Sequence, residues 1–247
     1  MEIVPLMNLT KGKDCNSTVS MEIDKTTLQD LTIFAHQEHG SVFSKFNFCI
    51  TTGGTDKLLE NFNTPLSSIQ QINDIQATLQ FIAAKKDTWP VTITNGTVMV
   101  VEKFFVTGVE AIPQHATPFD AWTYKALHGP DYSFVSYSAD HSFDFLKGIQ
   151  IFIDELLNDN TPVPLRKLLQ TAAKTIDKEE LNIVKKHATA QQLNKAEKLR
   201  LMWFIRNRFK QQMFELLDIF SQLDAWYSMA VAIEKHGFVF PEIIHSD

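Results

Sequence analysis

Apolar residues recur at alternating four- and three-residue spacing towards the end of the chain. This heptad spacing predicts a long helix that packs lengthwise against other helices. Met202 and Ile205 extend the pattern backwards with a slight change of phase, and Gly237 and Pro241 supply the stop signal. We therefore predict one continuous helix within 191–237, about 60 Å long. Its seam consists of Phe209, Met213, Leu216, Phe220, Leu223, Tyr227 and Ala230.

The first third of the chain shows shorter helical patterns separated by breaks. A helical run begins at Ser41, and another follows the Gly53–Gly54 break. Pro65 ends the second run, because proline cannot continue a helix. Ser67 or Ser68 then has the character of an N-cap for a helix that carries isoleucine and leucine at helical spacing.

The middle of the chain is harder to assign from its pattern. The β-branched residues of 97–105 favour a strand, whereas Glu102–Lys103 and the position between helices favour a helix, which we adopt. Because of its prolines and the Gly129–Pro130 turn, 110–138 is expected to be irregular or to form short helices. Amphipathic patterns predict helices at 143–157, 165–175 and 178–187.

These patterns predict a mainly α fold with few strands if any. The expected organisation is an N-terminal tail at 1–20 followed by a single helical core domain at 21–243. That domain divides into an N-terminal part (21–85), connecting helices (86–190) and the long C-terminal helix (191–237).

The composition, 44% hydrophobic and 21% charged, is that of an ordinary globular protein. No apolar run is long enough for a membrane span, and residues 1–20 lack the apolar core of a signal peptide. Two cysteines, Cys15 and Cys49, suit a reducing compartment without disulfides. We therefore expect a cytoplasmic protein that does not contact membranes.

The net charge of −6 is unevenly distributed. Between Thr161 and Lys210 the chain has twelve Lys and Arg against four Asp and Glu, a local charge of +8. Such asymmetry indicates an anionic contact, or packing between unlike parts of one molecule. The alternative is a solvated helix face with screened charge.

The motifs of common enzymes are missing from the sequence. There is no Walker A phosphate loop and no Gly-x-Ser-x-Gly nucleophile elbow. His36 and His39 lack a third ligand for a metal, and neither cysteine lies in a motif that activates a thiol. The sequence therefore predicts no enzyme activity and assigns no catalytic, cofactor-binding or metal-binding residue.

Two distant stretches of the chain carry a recognisable pattern of residues: Thr27–Ile33, Ser41–Phe43, Thr51, Gly54, Leu58, Pro65–Leu66 and Ile72–Asn73 in the first, and Leu216–Leu217, Leu223–Asp224, Ser228–Ala230, Phe238 and Pro241–Ile243 in the second. Together they resemble the core, or lever, domain of the DNA mismatch repair protein MutS family. The opening resembles the family's apolar Thr-x-x-x-Leu-x-Ile start and the helix-break pattern that follows it. The ending is similar to the helix that closes the family's lever, with its aspartate, Ser-x-Ala pair, aromatic residue and Pro-Glu-Ile.

The chain also departs from the family pattern. Ile75 stands where the family usually has arginine, and too few residues separate Ile82 from the long helix for a full clamp. No mismatch-reading Phe-x-Glu precedes the core. The resemblance implies an ATPase domain downstream of Asp247, with ATP and magnesium as its cofactors. The chain is then either a fragment of a MutS-related protein or a lone lever domain.

The resemblance implies a non-catalytic lever that transmits conformational change between an ATPase domain and a DNA- or partner-contacting end. Its basic end is expected to touch the DNA backbone through non-specific phosphate contacts. The alternative is a protein-interaction module without DNA binding, in which the heptad seam forms a homodimer. The candidate DNA or partner contacts are Lys185, Lys186, Lys195, Lys198, Arg200, Arg206 and Arg208.

Overall fold

The computed structural model describes residues 26–27, 31–34, 40–90 and 92–243. Those residues are mainly helical and contain no strand, which confirms the predicted fold class. The predicted tail at 1–20 and the His36–His39 pair lie outside the described residues. The helices are α1 (Val42–Phe46), α2 (Thr52–Asn63), α3 (Ile69–Ala84), α4 (Asn95–Val106), α5 (Pro118–Leu127), α6 (Gly129–Leu156), α7 (Val163–Ile176), α8 (Asn182–Lys186), α9 (Lys195–Asn207) and α10 (Lys210–His236).

Side-chain caps determine where several helices begin. Thr51, Ser68, Thr94 and Asn194 each accept a hydrogen bond from the backbone N–H three residues ahead. This bond satisfies one of the N–H groups that a helix start leaves without a partner. The sequence predicts Ser67 or Ser68 as the N-cap of α3, and the structure shows that it is Ser68. The Thr94 cap places Asn95 in the first turn of α4, so 97–105 is helical, as predicted.

Two long helices, α6 and α10, organise the packing. Helix α10 packs against α1, α2 and α3, while α6 packs against α4, α5, α8 and α9, and α7 contacts both long helices. Aromatic rings join the two halves, since Phe220 of α10 lies between Phe145 and Phe152 of α6 at centroid distances of 6.2 and 5.9 Å. The core is therefore continuous from one long helix to the other.

The expectation that 110–138 would be irregular or form short helices is wrong for residues 129–138, which belong to the 28-residue helix α6. Pro118 and Pro130 lie in the first turns of α5 and α6. Proline is tolerated there because N–H groups of a first turn have no partner within the helix. The prolines that signalled breaks therefore mark helix starts.

The prediction of one continuous helix over 191–237 is wrong, because the chain bends at Arg208 and Phe209 between α9 and α10. The N–H groups of both residues donate to the Phe204 carbonyl oxygen, at 2.8 and 3.1 Å. The Phe209 ring is buried and stacks on Phe204 at a centroid distance of 5.4 Å. Burial of this ring stabilises the bend without glycine or proline. The long C-terminal helix is therefore α10 alone, 27 residues or about 40 Å long.

Candidate functional site

Asp224, near the middle of α10, is a buried carboxylate that receives three hydrogen-bond donors from the chain just before α2. Only 1% of the residue is exposed. Its Oδ1 accepts the Ile50 N–H at 2.9 Å, and its Oδ2 accepts the Thr51 N–H at 2.8 Å and the Thr51 hydroxyl at 2.7 Å. Charge-assisted bonds of this kind are among the stronger hydrogen bonds in proteins. Asp224 therefore fixes the start of α2 to α10.

Thr51 and Gly54 complete this contact on the α2 side. The Thr51 hydroxyl donates to Asp224 and accepts the Gly54 N–H at 3.0 Å, so it also caps α2. A Cβ atom on Gly54 would lie 2.1 Å from Asp224 Oδ2. Glycine is required because α10 approaches the first turn of α2 more closely than any side chain permits.

Ser228, one turn beyond Asp224, holds the preceding loop. Its hydroxyl donates to the Phe46 carbonyl oxygen and accepts the Phe48 N–H, both at 2.6 Å. Asp224 and Ser228 thus fix the backbone from Phe46 to the start of α2. We call these contacts, formed by Phe46–Gly54 with Asp224 and Ser228, the α2–α10 joint. It unites residues that are more than 170 positions apart in sequence.

Cys49 lies within this joint, and its surroundings suppress ionisation. Burial, with a smaller contribution from the negative charge of Asp224, raises the pKa of the thiol to about 11, although the neighbouring Ser228 and Thr55 hydroxyls act to lower it. At pH 8, a thiol with this pKa contains on the order of a hundredfold less thiolate than an ordinary cysteine. The thiolate is the nucleophile, so Cys49 is unsuited to catalysis at neutral pH.

We expect Cys49 to react slowly with iodoacetamide in the folded chain. In a Cys15→Ser variant, where Cys49 is the remaining cysteine, the alkylation rate at pH 8 should be on the order of a hundredfold below that of a free thiol. The rate should rise with pH up to about 11. The urea-unfolded variant supplies the control at the free-thiol rate. A folded rate that levels off near pH 9 would contradict the raised pKa.

Three of the seven candidate contact residues hold the fold together. Lys198 forms an ion pair with Asp140 of α6, and Arg200 donates to the Ala116 carbonyl oxygen at 2.7 Å. Arg206 donates to the Phe104 and Thr107 carbonyl oxygens at 2.9 and 2.8 Å, which places a cation at the C-terminal end of α4. These cations already have partners within the molecule.

The other four candidates, Lys185, Lys186, Lys195 and Arg208, are exposed. Lys185 contacts Asp177 at 3.3 Å in an ion pair that solvent screens. A cleft of about 410 Å³ brings Lys186 and Arg200 together. The cleft is also lined by Glu179, Glu180 and Glu197, so its charge is mixed. The structure does not bring the seven residues together as one basic patch.

The heptad seam proposed for a homodimer is largely occupied within the chain. Phe209, Met213, Leu216, Phe220, Leu223 and Ala230 are at most 2% exposed, and all belong to the hydrophobic core. Tyr227, the remaining seam residue, stacks on Trp89 at 4.7 Å. The seam is therefore unavailable to a second copy.

The described residues form neither a membrane-spanning helix nor a cluster of metal ligands. In this part of the chain, no helix combines the length and apolar character needed to cross a membrane. No group of three or more His, Cys, Asp or Glu side chains among the described residues is placed to hold a metal ion.

Comparison of the chain with protein-family models, with curated proteins and with solved structures finds no match.

Proposed function

We propose that this chain is the non-catalytic core and lever domain of a MutS-related DNA repair protein. The α2–α10 joint is the observation that carries the proposal. Thr51 and Gly54 belong to the opening of the family-like pattern, and Asp224 and Ser228 belong to its ending. Asp224 accepts hydrogen bonds from Thr51, which caps the helix turn that contains Gly54, and Ser228, one turn along α10, binds the loop that leads to them. This convergence supplies a physical reason for the presence of these residue types at both ends of the pattern.

The joint also supports a mechanical role. Helix α10 is about 40 Å long and is bonded to the N-cap of α2 through Asp224 and to the preceding loop through Ser228, so we expect the two helices to move together. A displacement at one end of such a unit is transmitted to the other end. In the proposed protein, a cytoplasmic ATPase domain that binds ATP and magnesium drives this movement, and DNA or a protein partner receives it.

The proposed contact with DNA, which we call the DNA arm of the proposal, is tested by fluorescence anisotropy of a labelled plain duplex. The chain should bind at micromolar concentration, and the affinity should fall steeply between about 50 and 200 mM salt. Reversing four exposed charges, in the variant Lys185→Glu/Lys186→Glu/Lys195→Glu/Arg208→Glu, should weaken binding by at least about tenfold. Arg206 is left unchanged because its substitution would disturb α4.

The control for the four-site variant is Lys45→Glu/Lys103→Glu, which reverses two exposed lysines on other helices. For each charge reversed, this control should weaken duplex binding less than the four-site variant does. Equal effects per charge would show that only the net charge matters. Absence of duplex binding at low salt would remove the DNA arm and favour an interaction module. Sedimentation would then test self-association through a surface other than the buried seam.

A further inference from the structure

Helix α7 presents an outer face of polar and basic side chains. Leu165, Leu169, Ala172 and Ile176 are buried against the neighbouring helices. The opposite face is exposed and carries Lys167, Gln170, Thr171 and Lys174 at helical spacing. Helix α7 contains no Asp or Glu. We call these four exposed residues the α7 stripe.

The lysines of the stripe have no acidic partner among the residues that the structure describes. Within the described part of the chain, no carboxylate oxygen lies within 4 Å of the ammonium group of Lys167 or Lys174. Lys57, Lys86 and Lys198, by contrast, are each paired with a carboxylate. The stripe is therefore a positive surface whose charge is not neutralised by close ion pairs.

We propose that the α7 stripe binds the phosphodiester backbone of a nucleic acid duplex. Lys167 and Lys174 are seven residues apart, which places them about 10 Å apart along the helix axis. Their flexible side chains suit phosphates that flank a groove roughly 6–12 Å wide. Gln170, between them, has a side-chain amide of a type that donates to phosphate oxygens, whereas the Thr171 hydroxyl donates to the Lys167 carbonyl oxygen at 3.0 Å. This assignment deepens the proposed function by naming a contact surface and rests on its DNA arm.

The chemistry of the stripe favours nucleic acid over an acidic protein. Protein interfaces concentrate their binding energy in aromatic and arginine anchors that become fully buried. The stripe offers none, because it consists of lysine, glutamine and threonine. Backbone contacts to a duplex need no such anchors and do not depend on base sequence. Binding should therefore be indifferent to sequence and strongly dependent on salt.

The test measures duplex binding by anisotropy at several salt concentrations, with the full chain and its variants. Lys167→Glu/Lys174→Glu should weaken binding by at least about tenfold. The neutral variant Lys167→Gln/Lys174→Gln should lower the slope of log affinity against log salt by about 1.8, since each phosphate contact contributes about 0.9. The matched control is Lys45→Glu/Lys103→Glu, which makes the same charge change on exposed lysines outside the stripe.

The possible outcomes distinguish a failure of the α7 stripe assignment from a failure of the proposed function. If Lys167→Glu/Lys174→Glu binds the duplex as tightly as the control variant does, while the four-site variant loses binding, the stripe is not the contact. The proposed contact with DNA is then retained. If the wild-type chain binds no duplex, the assignment of the stripe and the proposed contact with DNA are both overturned. The lever proposal then depends on the α2–α10 joint alone. If polyglutamate displaces the duplex as well as an equal concentration of unlabelled duplex charge does, the stripe is a general polyanion surface and its assignment to nucleic acid is overturned.

Discussion

Replacing Gly54 with alanine should destabilise the chain by about 2–4 kcal/mol. The new Cβ would lie 2.1 Å from Asp224 Oδ2 and 2.9 Å from its Cβ. Rotation of the carboxylate cannot relieve this overlap without breaking its bonds to Ile50 and Thr51. The helix must move away or the joint must open. Urea unfolding followed by circular dichroism measures the loss as a lower midpoint.

Gly53 provides a matched control one position away in the same helix. A Cβ on Gly53 would meet the Ser221 hydroxyl at 2.5 Å but the Ser221 Cβ at 3.5 Å, so only rotation of a small side chain is needed. Alanine also favours a helix over glycine by up to about 1 kcal/mol. Gly53→Ala should therefore remain within about 1 kcal/mol of wild type. Equal losses for the two variants would show that the contact with Asp224 is not the cause.

The residues of the joint were visible in the sequence, but their contact was not. Thr51, Gly54, Asp224 and Ser228 stood out only through a resemblance to a family pattern. Periodicity predicts an apolar seam. It does not indicate that an aspartate beside the seam is buried, or which residues donate hydrogen bonds to it. The donors for Asp224 lie in a loop more than 170 positions away, and local pattern carries no information about such a pairing.

Several helices can be predicted from the sequence because their starts and their apolar faces depend only on residues nearby in the chain. The Ser68 cap and the amphipathic faces of α3 and α7 were recognisable because capping and 3.6-residue periodicity are local properties. The bend at Phe209 was not, since it depends on a ring buried by tertiary packing. The slight change of phase between Ile205 and Phe209 was its one trace in the sequence.

Charge was the weakest guide to the candidate surface. Counting cations between Thr161 and Lys210 identifies a basic section but not the direction of any side chain. Arg200 and Arg206 bond to backbone carbonyl oxygens, whereas Lys167 and Lys174 face solvent. An arginine beside a helix end has a structural use, because its fork of donors satisfies carbonyl groups that the helix leaves unpaired.

Replacing Asp224 with asparagine should also destabilise the chain by about 2–4 kcal/mol. The carboxylate faces three donors, the N–H groups of Ile50 and Thr51 and the Thr51 hydroxyl. An asparagine amide offers one acceptor oxygen and an NH2 group that is itself a donor. At least one backbone N–H would then face another donor in a buried site. Urea unfolding measures the loss, and hydrogen exchange at Ile50 and Thr51 reports whether the joint opens.

Asp218→Asn is the matched control, because it makes the same chemical change on the same helix at a site with 69% of the side chain exposed. Asp218 pairs with Lys57 at 3.1 Å, and exposed pairs contribute at most about 1 kcal/mol. If Asp224→Asn costs no more than Asp218→Asn, the joint does not hold α2 to α10 and the lever proposal loses its mechanical basis. If Asp224→Asn speeds exchange at Ile50 and Thr51 while the rest of α2 stays protected, Asp224 couples the two helices without determining the stability of either.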